Sequence, residues 1–183
     1  MSALKTSEDV LRFWFEELSA EDHFKKSEKI DSTIRERFLK TIEAGARGEL
    51  FSWRKTAMGR LAEILVLDQF SRNVYRGLPA SFAQDAVALT LAQEMHELGL
   101  DAQIPIAWRS FVYMPYMHSE SKRIHEEALR LFDHPEMQMS LKFELLHKVI
   151  IDRFGRYPHR NEVLGRVSTP DEIEFLKTEN SSF

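Results

Sequence analysis

The residues best placed to do chemistry lie in Arg153-Phe-Gly-Arg-Tyr-Pro-His-Arg-Asn161 and its continuation to Gly165 and Arg166. Four arginines there (Arg153, Arg156, Arg160, Arg166) face one carboxylate, Glu162, in a chain whose net charge is −4. Guanidinium forks match carboxylate and phosphate two bonds at a time, and His159 can donate or titrate near neutral pH. Arg153, Arg156, His159, Arg160 and Asn161 are therefore candidate contacts for an anionic group. The motif has an echo upstream. Asp68-Gln-Phe-Ser-Arg72 and Asp152-Arg-Phe-Gly-Arg156 share the pattern Asp-x-Phe-small-Arg, followed by Asn73 and Arg76 in one case and Arg160 and Asn161 in the other. The echo fits two ordinary helix ends, with cations at the negative dipole end and phenylalanine in the core. It also fits two matched ends facing one cavity, with aspartates holding arginines in place. Asp68 falls on an apolar stripe, where a carboxylate is costly unless paired, and Arg72 at i+4 is its nearest partner. A third arrangement needs no ligand: the arginines satisfy Asp68, Asp152 or Glu120 in a closed salt-bridge network.

His118-Ser-Glu120 is a second polar cluster, placed just after an apolar helix. Two functions fit these residues. The first is a binding module whose Arg/His-lined pocket holds a peptide terminus or a small anionic metabolite. Its lining would come from Asp68, Arg72, Arg76, Arg153, Arg156, His159, Arg160 and Asn161. The second is an enzyme acting on a small anionic metabolite. His118 or His159 would be the acid/base, Glu120 or Asp152 would orient it, and the arginines would stabilise developing negative charge. Other chemistries lack their parts. Glu144-Leu-Leu-His147 is one Glu-x-x-His step, whereas a di-metal bundle needs two and two further glutamates. No metal and no cofactor are expected. There is no Gly-x-Ser-x-Gly elbow and no glycine-rich phosphate loop. With no cysteine, disulfides, thiolate metal sites and a cysteine nucleophile are excluded.

The elements that must position these residues read as helices throughout. Apolar positions recur at helical spacing, and no stretch alternates long enough for a strand. A first helix follows Thr6 or Ser7, with Val10, Leu11, Trp14, Phe15 and Leu18 as its stripe. After a polar linker from Ser19 to Lys29, Asp31 and Ser32 are the next caps, and Gly48 is the stop. Thr56 opens a third helix carrying Leu61, Ile64, Leu65, Asp68, Phe70 and Arg72. A fourth runs from about Ser81 to Leu98. Pro105 starts a fifth, which Pro115 kinks or ends. Ser119 caps a sixth, and Asp133-His-Pro-Glu136 resembles a capping box before a seventh that ends near Phe154. Apolar residues from Leu141 to Phe154 nearly encircle the seventh, which predicts a central helix. Thr169-Pro-Asp-Glu172 starts a short last helix. The expected fold is all-α: one domain over 1–183 of seven to eight antiparallel helices, with a frayed tail from 178.

Composition is that of a soluble globular chain, with 43% hydrophobic and 30% charged residues. The purest apolar run, Ile64-Leu-Val-Leu67, is far short of a membrane span. The start, Met1-Ser-Ala-Leu-Lys5, lacks the basic and apolar regions of a secretory signal, so the expected location is cytoplasmic. The acidic balance gives no electrostatic footprint for nucleic acid.

Several segments together resemble a known family. They are Val10-Leu-Arg-Phe-Trp-Phe15, Gly59-Arg-Leu-Ala62, Leu67-Asp-Gln-Phe-Ser-Arg-Asn-Val-Tyr-Arg-Gly77, Met117-His-Ser-Glu120, the 153–161 stretch, Leu164-Gly-Arg166 and Ser168-Thr-Pro170. In combination they are similar to the bacterial domain-of-unknown-function family 924, across nearly the whole chain. The resemblance implies an all-α fold like tetratricopeptide helical arrays. It implies no activity, cofactor or catalytic residue. Its signature segments coincide with Asp68, Arg72, Arg76, His118, Glu120, Asp152, Arg153, Arg156, His159 and Arg160.

Overall fold

The computed structural model describes residues 4–179 and 181–182. What the sequence implies for residues 1–3, 180 and 183 lies outside the described residues. Among the described residues every regular element is helical.

Thr6 opens α1 (Ser7–Arg12) through a reciprocal capping box with Asp9, and the chain continues as a π-turn over Phe13–Glu17. The helix α2 (Glu28–Ala46) starts earlier than Asp31 and Ser32 would place it, because the Ser27 hydroxyl accepts from the Ile30 amide and caps it. Asp31 lies inside α2 and turns instead to Arg76. Thr56 caps α3 (Ala57–Leu65), which runs on through a π-turn over Val66–Phe70 into α4 (Ser71–Val74). The next helix, α5 (Asp85–Glu97), begins after Ser81, since a 3-10 turn over Pro79–Ser81 and the Ser81 hydroxyl bond to the Tyr75 carbonyl (2.6 Å) hold that segment.

Pro115 does not end α6 (Ile106–Met117), which passes two residues beyond it. Ser119 is not the cap of α7 (Lys122–Phe132), because Ser121 occupies that position. Before α8 (Gln138–Phe154) the Glu136 amide donates to His134 Nδ1, which caps the 3-10 turn over Pro135–Met137, so Asp133 is not the cap. Gly155, at φ +68°, stops α8 in a left-handed conformation that only glycine adopts cheaply. The last helix, α9 (Pro170–Phe175), opens with a Thr169–Glu172 capping box. In the tail, the Thr178 and Ser181 hydroxyls bond back to the Phe175 and Leu176 carbonyls, and Ser181 is buried.

The main core collects Val10, Phe13, Trp14, Phe38, Leu61, Leu65, Phe70, Val112 and Phe132. Phe13, Phe38 and Phe70 meet with ring centroids 5.0–5.9 Å apart. A second, smaller cluster joins Ile150, Ile151 and Tyr157 to Phe154 and Phe175. The apolar girdle of α8 does not make it central. Leu145 is 48% and Val149 65% exposed, while Glu144, His147, Ile150 and Ile151 are the buried face. Polar partners wait on that inner side, so polar residues turn inward and leucine and valine outward.

Gly59 sits where α3 meets the 3-10 turn over Phe51–Lys55, and a Cβ there would lie 2.1 Å from the Trp53 carbonyl oxygen. A backbone atom cannot swing away as a side chain can. Gly59→Ala is expected to cost about 1–3 kcal/mol, a fall in Tm of about 3–10 °C in a thermal melt.

Candidate functional site

The π-turn of Val66–Phe70 carries Asp68 into the interior, where it is fully buried. Such turns insert an extra residue into a helix and are frequent at functional sites. The Asp68 carboxylate meets three donors. His118 Nδ1 lies 2.7 Å from Oδ1, Arg72 Nη1 lies 3.1 Å from Oδ1, and Gln69 Nε2 lies 2.6 Å from Oδ2. Burial pushes the carboxyl up, but the charges and hydrogen bonds of His118 and Arg72 outweigh it, and Asp68 is held well below the usual carboxylate range. His118 shifts downward through burial and the neighbouring Arg72, against the pull of Asp68. At neutral pH the pair is thus a carboxylate and a neutral imidazole, with the carboxylate anchored by Arg72.

Arg72 also forks onto Asp85, the first residue of α5, with both bonds at 2.9 Å. Arg160 reaches the same carboxylate at 3.1 Å and the His118 carbonyl at 3.0 Å. Its guanidinium lies between the rings of Phe82 (4.5 Å) and Tyr157 (4.6 Å). Two arginines and two aspartates make a centre of zero net charge around a neutral imidazole. The His118 side chain is 15% exposed, and among the described residues its Nε2 has no hydrogen-bond partner. A carboxylate on Nδ1 fixes the tautomer, so Nε2 is the unprotonated nitrogen, available to accept a proton.

The structure brings Asp68, Arg72, His118 and Arg160 together and sets His159 nearby, its ring 5.4 Å from that of Tyr157 and its Nδ1 buried without a partner. The other candidates lie apart from this centre or are engaged elsewhere. Arg76 forks onto Asp31 at 2.7 and 2.9 Å. Glu120 does not orient His118, since it receives the Arg166 fork (2.7 and 2.9 Å) and the Tyr157 amide (2.7 Å). Asp152 does not orient a histidine either. It faces solvent near the end of α8 and pairs with Lys148 at 2.6 Å. The two Asp-x-Phe-small-Arg segments therefore do not mirror one another: the first crosses the core, the second ends on the surface.

Arg156 is spent on Glu172 (2.6 and 2.8 Å) and the Val167 carbonyl. Asn161 joins Ser168 and Arg166. Arg153 has no ion pair among the described residues and lies over the Phe154 ring at 4.6 Å. With Arg156, Phe154, Thr169, Asp171 and Glu172 it lines an open cleft of about 480 Å³ between α8 and α9.

Sequence reasoning missed Asp85, Gln69, Phe82, Tyr157, His125 and the full role of Glu144. Asp85 looks like any acid in a first helical turn. Among the described residues no group of three or more His, Asp or Glu side chains is placed to hold a metal, and no helix is long and apolar enough to cross a membrane.

Burial pushes His147 down to about 3 and His159 down to about 4, the latter aided by Arg160. The unfolded chain takes up these protons near pH 6.5 and the folded chain does not. Their contribution is complete above about pH 6.5 and is lost as pH falls, each histidine costing roughly 1–3 kcal/mol by about pH 4.5. Glu144, raised by burial, works the other way. Denaturant melts across this range are expected to show stability dropping with pH, with a shallower slope in His159→Gln.

A family model described as a bacterial protein of unknown function, DUF924, matches residues 10–180. A solved structure of a protein of unknown function from Agrobacterium tumefaciens is similar at 34% identity and a TM-score of 0.89, over 93% of this chain and 96% of that one. No curated protein matches the chain. By the span of the family match and the agreement of fold, the chain belongs to the bacterial DUF924 family.

Proposed function

We propose that the chain is an enzyme acting on a small anionic or polar metabolite by acid–base chemistry, with His118 as the proton-transfer group. The observation that carries this is the 2.7 Å contact between buried Asp68 and His118 Nδ1, on a ring whose other nitrogen is unpartnered among the described residues. In that arrangement Asp68 orients the imidazole and stabilises the imidazolium formed when Nε2 accepts a proton. Arg72 and Arg160 are the nearby donors for negative charge that develops on the substrate. The terminal nitrogens of Arg72 are taken by Asp68 and Asp85, and those of Arg160 by Asp85 and the His118 carbonyl, so the centre is a poor clamp for a permanent anion. That favours transient charge, as in hydrolysis or isomerisation.

A screen of small esters, amides, lactones and keto acids tests the proposal. A turnover lost by a factor of about 10² or more in His118→Gln, with the melt unchanged, is the expected result. Turnover that survives His118→Gln overturns it. Asp68→Ala strips Arg72 and His118 of their buried partner and is expected to cost about 3–5 kcal/mol in a denaturant melt.

A second function has an observation of its own. Arg153, without an ion pair among the described residues, stands on the rim of the 480 Å³ cleft. There a binding module would hold the carboxylate of a peptide terminus or metabolite. Thermal shift with short peptides and dicarboxylates, lost in Arg153→Gln, would support it. Equal shifts in both proteins would remove it.

A further inference from the structure

Three successive carbonyls, Met117 to Ser119, close the C-terminal end of α6, and three different side chains hold them. The Tyr157 hydroxyl donates to the Met117 carbonyl (2.6 Å). Arg160 Nη2 donates to the His118 carbonyl (3.0 Å). His125 Nε2 lies 2.8 Å from the Ser119 carbonyl. Helix C-termini leave carbonyls unpaired, and water or a short cap usually satisfies them. Here they are tied to α7 and to the 157–160 segment, on both sides of the residue that carries the imidazole. Behind His125 stands Glu144, whose Oε1 lies 2.5 Å from His125 Nδ1, and neither side chain is exposed.

We propose that Glu144, His125 and Tyr157 are positioning residues for His118, acting in series to fix the Met117–Ser119 carbonyls and so the direction of the His118 ring. This rests on the proposed acid–base role of His118 and names the groups that hold it.

Proton bookkeeping makes the series specific. The Tyr157 hydroxyl gives its proton to the Met117 carbonyl, so its oxygen can only accept from His125 Nε2, 3.2 Å away. The Ser119 carbonyl can only accept as well. His125 Nε2 therefore carries a proton. At the other end, Glu144 Oε2 is buried and has no partner. A full carboxylate charge there would leave an oxygen unsatisfied in the interior, whereas a neutral acid leaves only a carbonyl. Lys148, one turn further along α8, is engaged by Asp152. The low-cost state is a neutral Glu144 acid that donates to His125 Nδ1, leaving His125 as the neutral Nε2–H tautomer. Burial shifts the Glu144 carboxyl upward, in the same sense.

A glutamine at 144 can donate from its amide to His125 Nδ1 just as the neutral acid does. An alanine cannot. The experiment is imidazole nitrogen and carbon NMR of the full chain, labelled at histidine and titrated across neutral pH. The variants are Glu144→Gln, Glu144→Ala, His125→Phe and Tyr157→Phe. His125 is expected as the Nε2–H tautomer in the parent and in Glu144→Gln, with the His118 midpoint unchanged between them. In Glu144→Ala and His125→Phe the His118 midpoint is expected to move by about half a unit or more, because its bond to Asp68 loosens.

Folded Glu144→Ala and His125→Phe proteins with the parental His118 titration would overturn the proposal, as would a parental His125 in the Nδ1–H form. If those two variants do not fold, Tyr157→Phe decides, since it removes only the hydroxyl and keeps the ring. An unmoved His118 in that variant overturns the proposal, and a moved one sustains it. The readout needs no substrate, so its failure is distinct from a failure of the enzymatic role, which the His118→Gln turnover test reads alone.

Discussion

A carboxylate with no exposure to water is the constraint on which this molecule turns. Asp68 sits in the middle of a helix where Leu61, Ile64, Leu65, Leu67 and Phe70 are also buried. Left alone, its charge would cost more than the whole domain's net stability provides. Each element near it supplies something to remove that cost. The same helix offers Gln69 and Arg72, and α6 ends by delivering His118. Arg72 then needs a second acid, which α5 supplies through Asp85, and Asp85 in turn accepts Arg160. The chain of obligations ties α3–α4, α5, α6 and the 157–160 segment to one point.

The charges at that point cancel, and this shapes the chemistry open to it. A guanidinium already forked by a carboxylate has little left to offer a permanent anion. It still polarises its surroundings, and it does so in a region that excludes most water, where fixed dipoles act strongly. The imidazole has a nitrogen, Nε2, that is unengaged among the described residues and free to take up a proton. Such a centre stores little net attraction for a ligand but is prepared for a proton to move.

Part of this was legible in the sequence. Asp68 was conspicuous because a carboxylate on an apolar stripe demands a partner, and Arg72 one turn later was the right one. His118 was conspicuous as a polar residue ending an apolar helix. Its orienting carboxylate was not, since sequence proximity pointed to Glu120, and Glu120 is claimed by Arg166. Asp152 shared a pattern with Asp68 but not an environment, and pattern carries no information about depth. All-helical architecture followed from spacing alone. The burial of α8 did not, because apolar residues on every side of a helix do not say which side meets the protein, and here the inner side bears Glu144 and His147. Asp85 and His125 were invisible, as their partners lie far away in the chain.

The π-turn at Val66–Phe70 has a consequence for how this sequence can change length. One residue advances an α-helix by about 100°. The wide turn absorbs one surplus residue, so Leu61 and Leu65 face the core on one side of it while Arg72 and Asn73 face Asp85 and Asp31 on the other. Deleting any single residue within it would restore a regular helix and leave every hydrophobic contact before it intact. The phase of Arg72, Asn73 and Arg76 relative to Leu61 and Leu65 would be kept, and what the helix would lose is one of Val66, Leu67, Asp68, Gln69 and Phe70, all of them buried. The helix can thus be shortened there by one residue without turning one half against the other, but only by giving up a buried side chain, and Asp68 is among the five at stake.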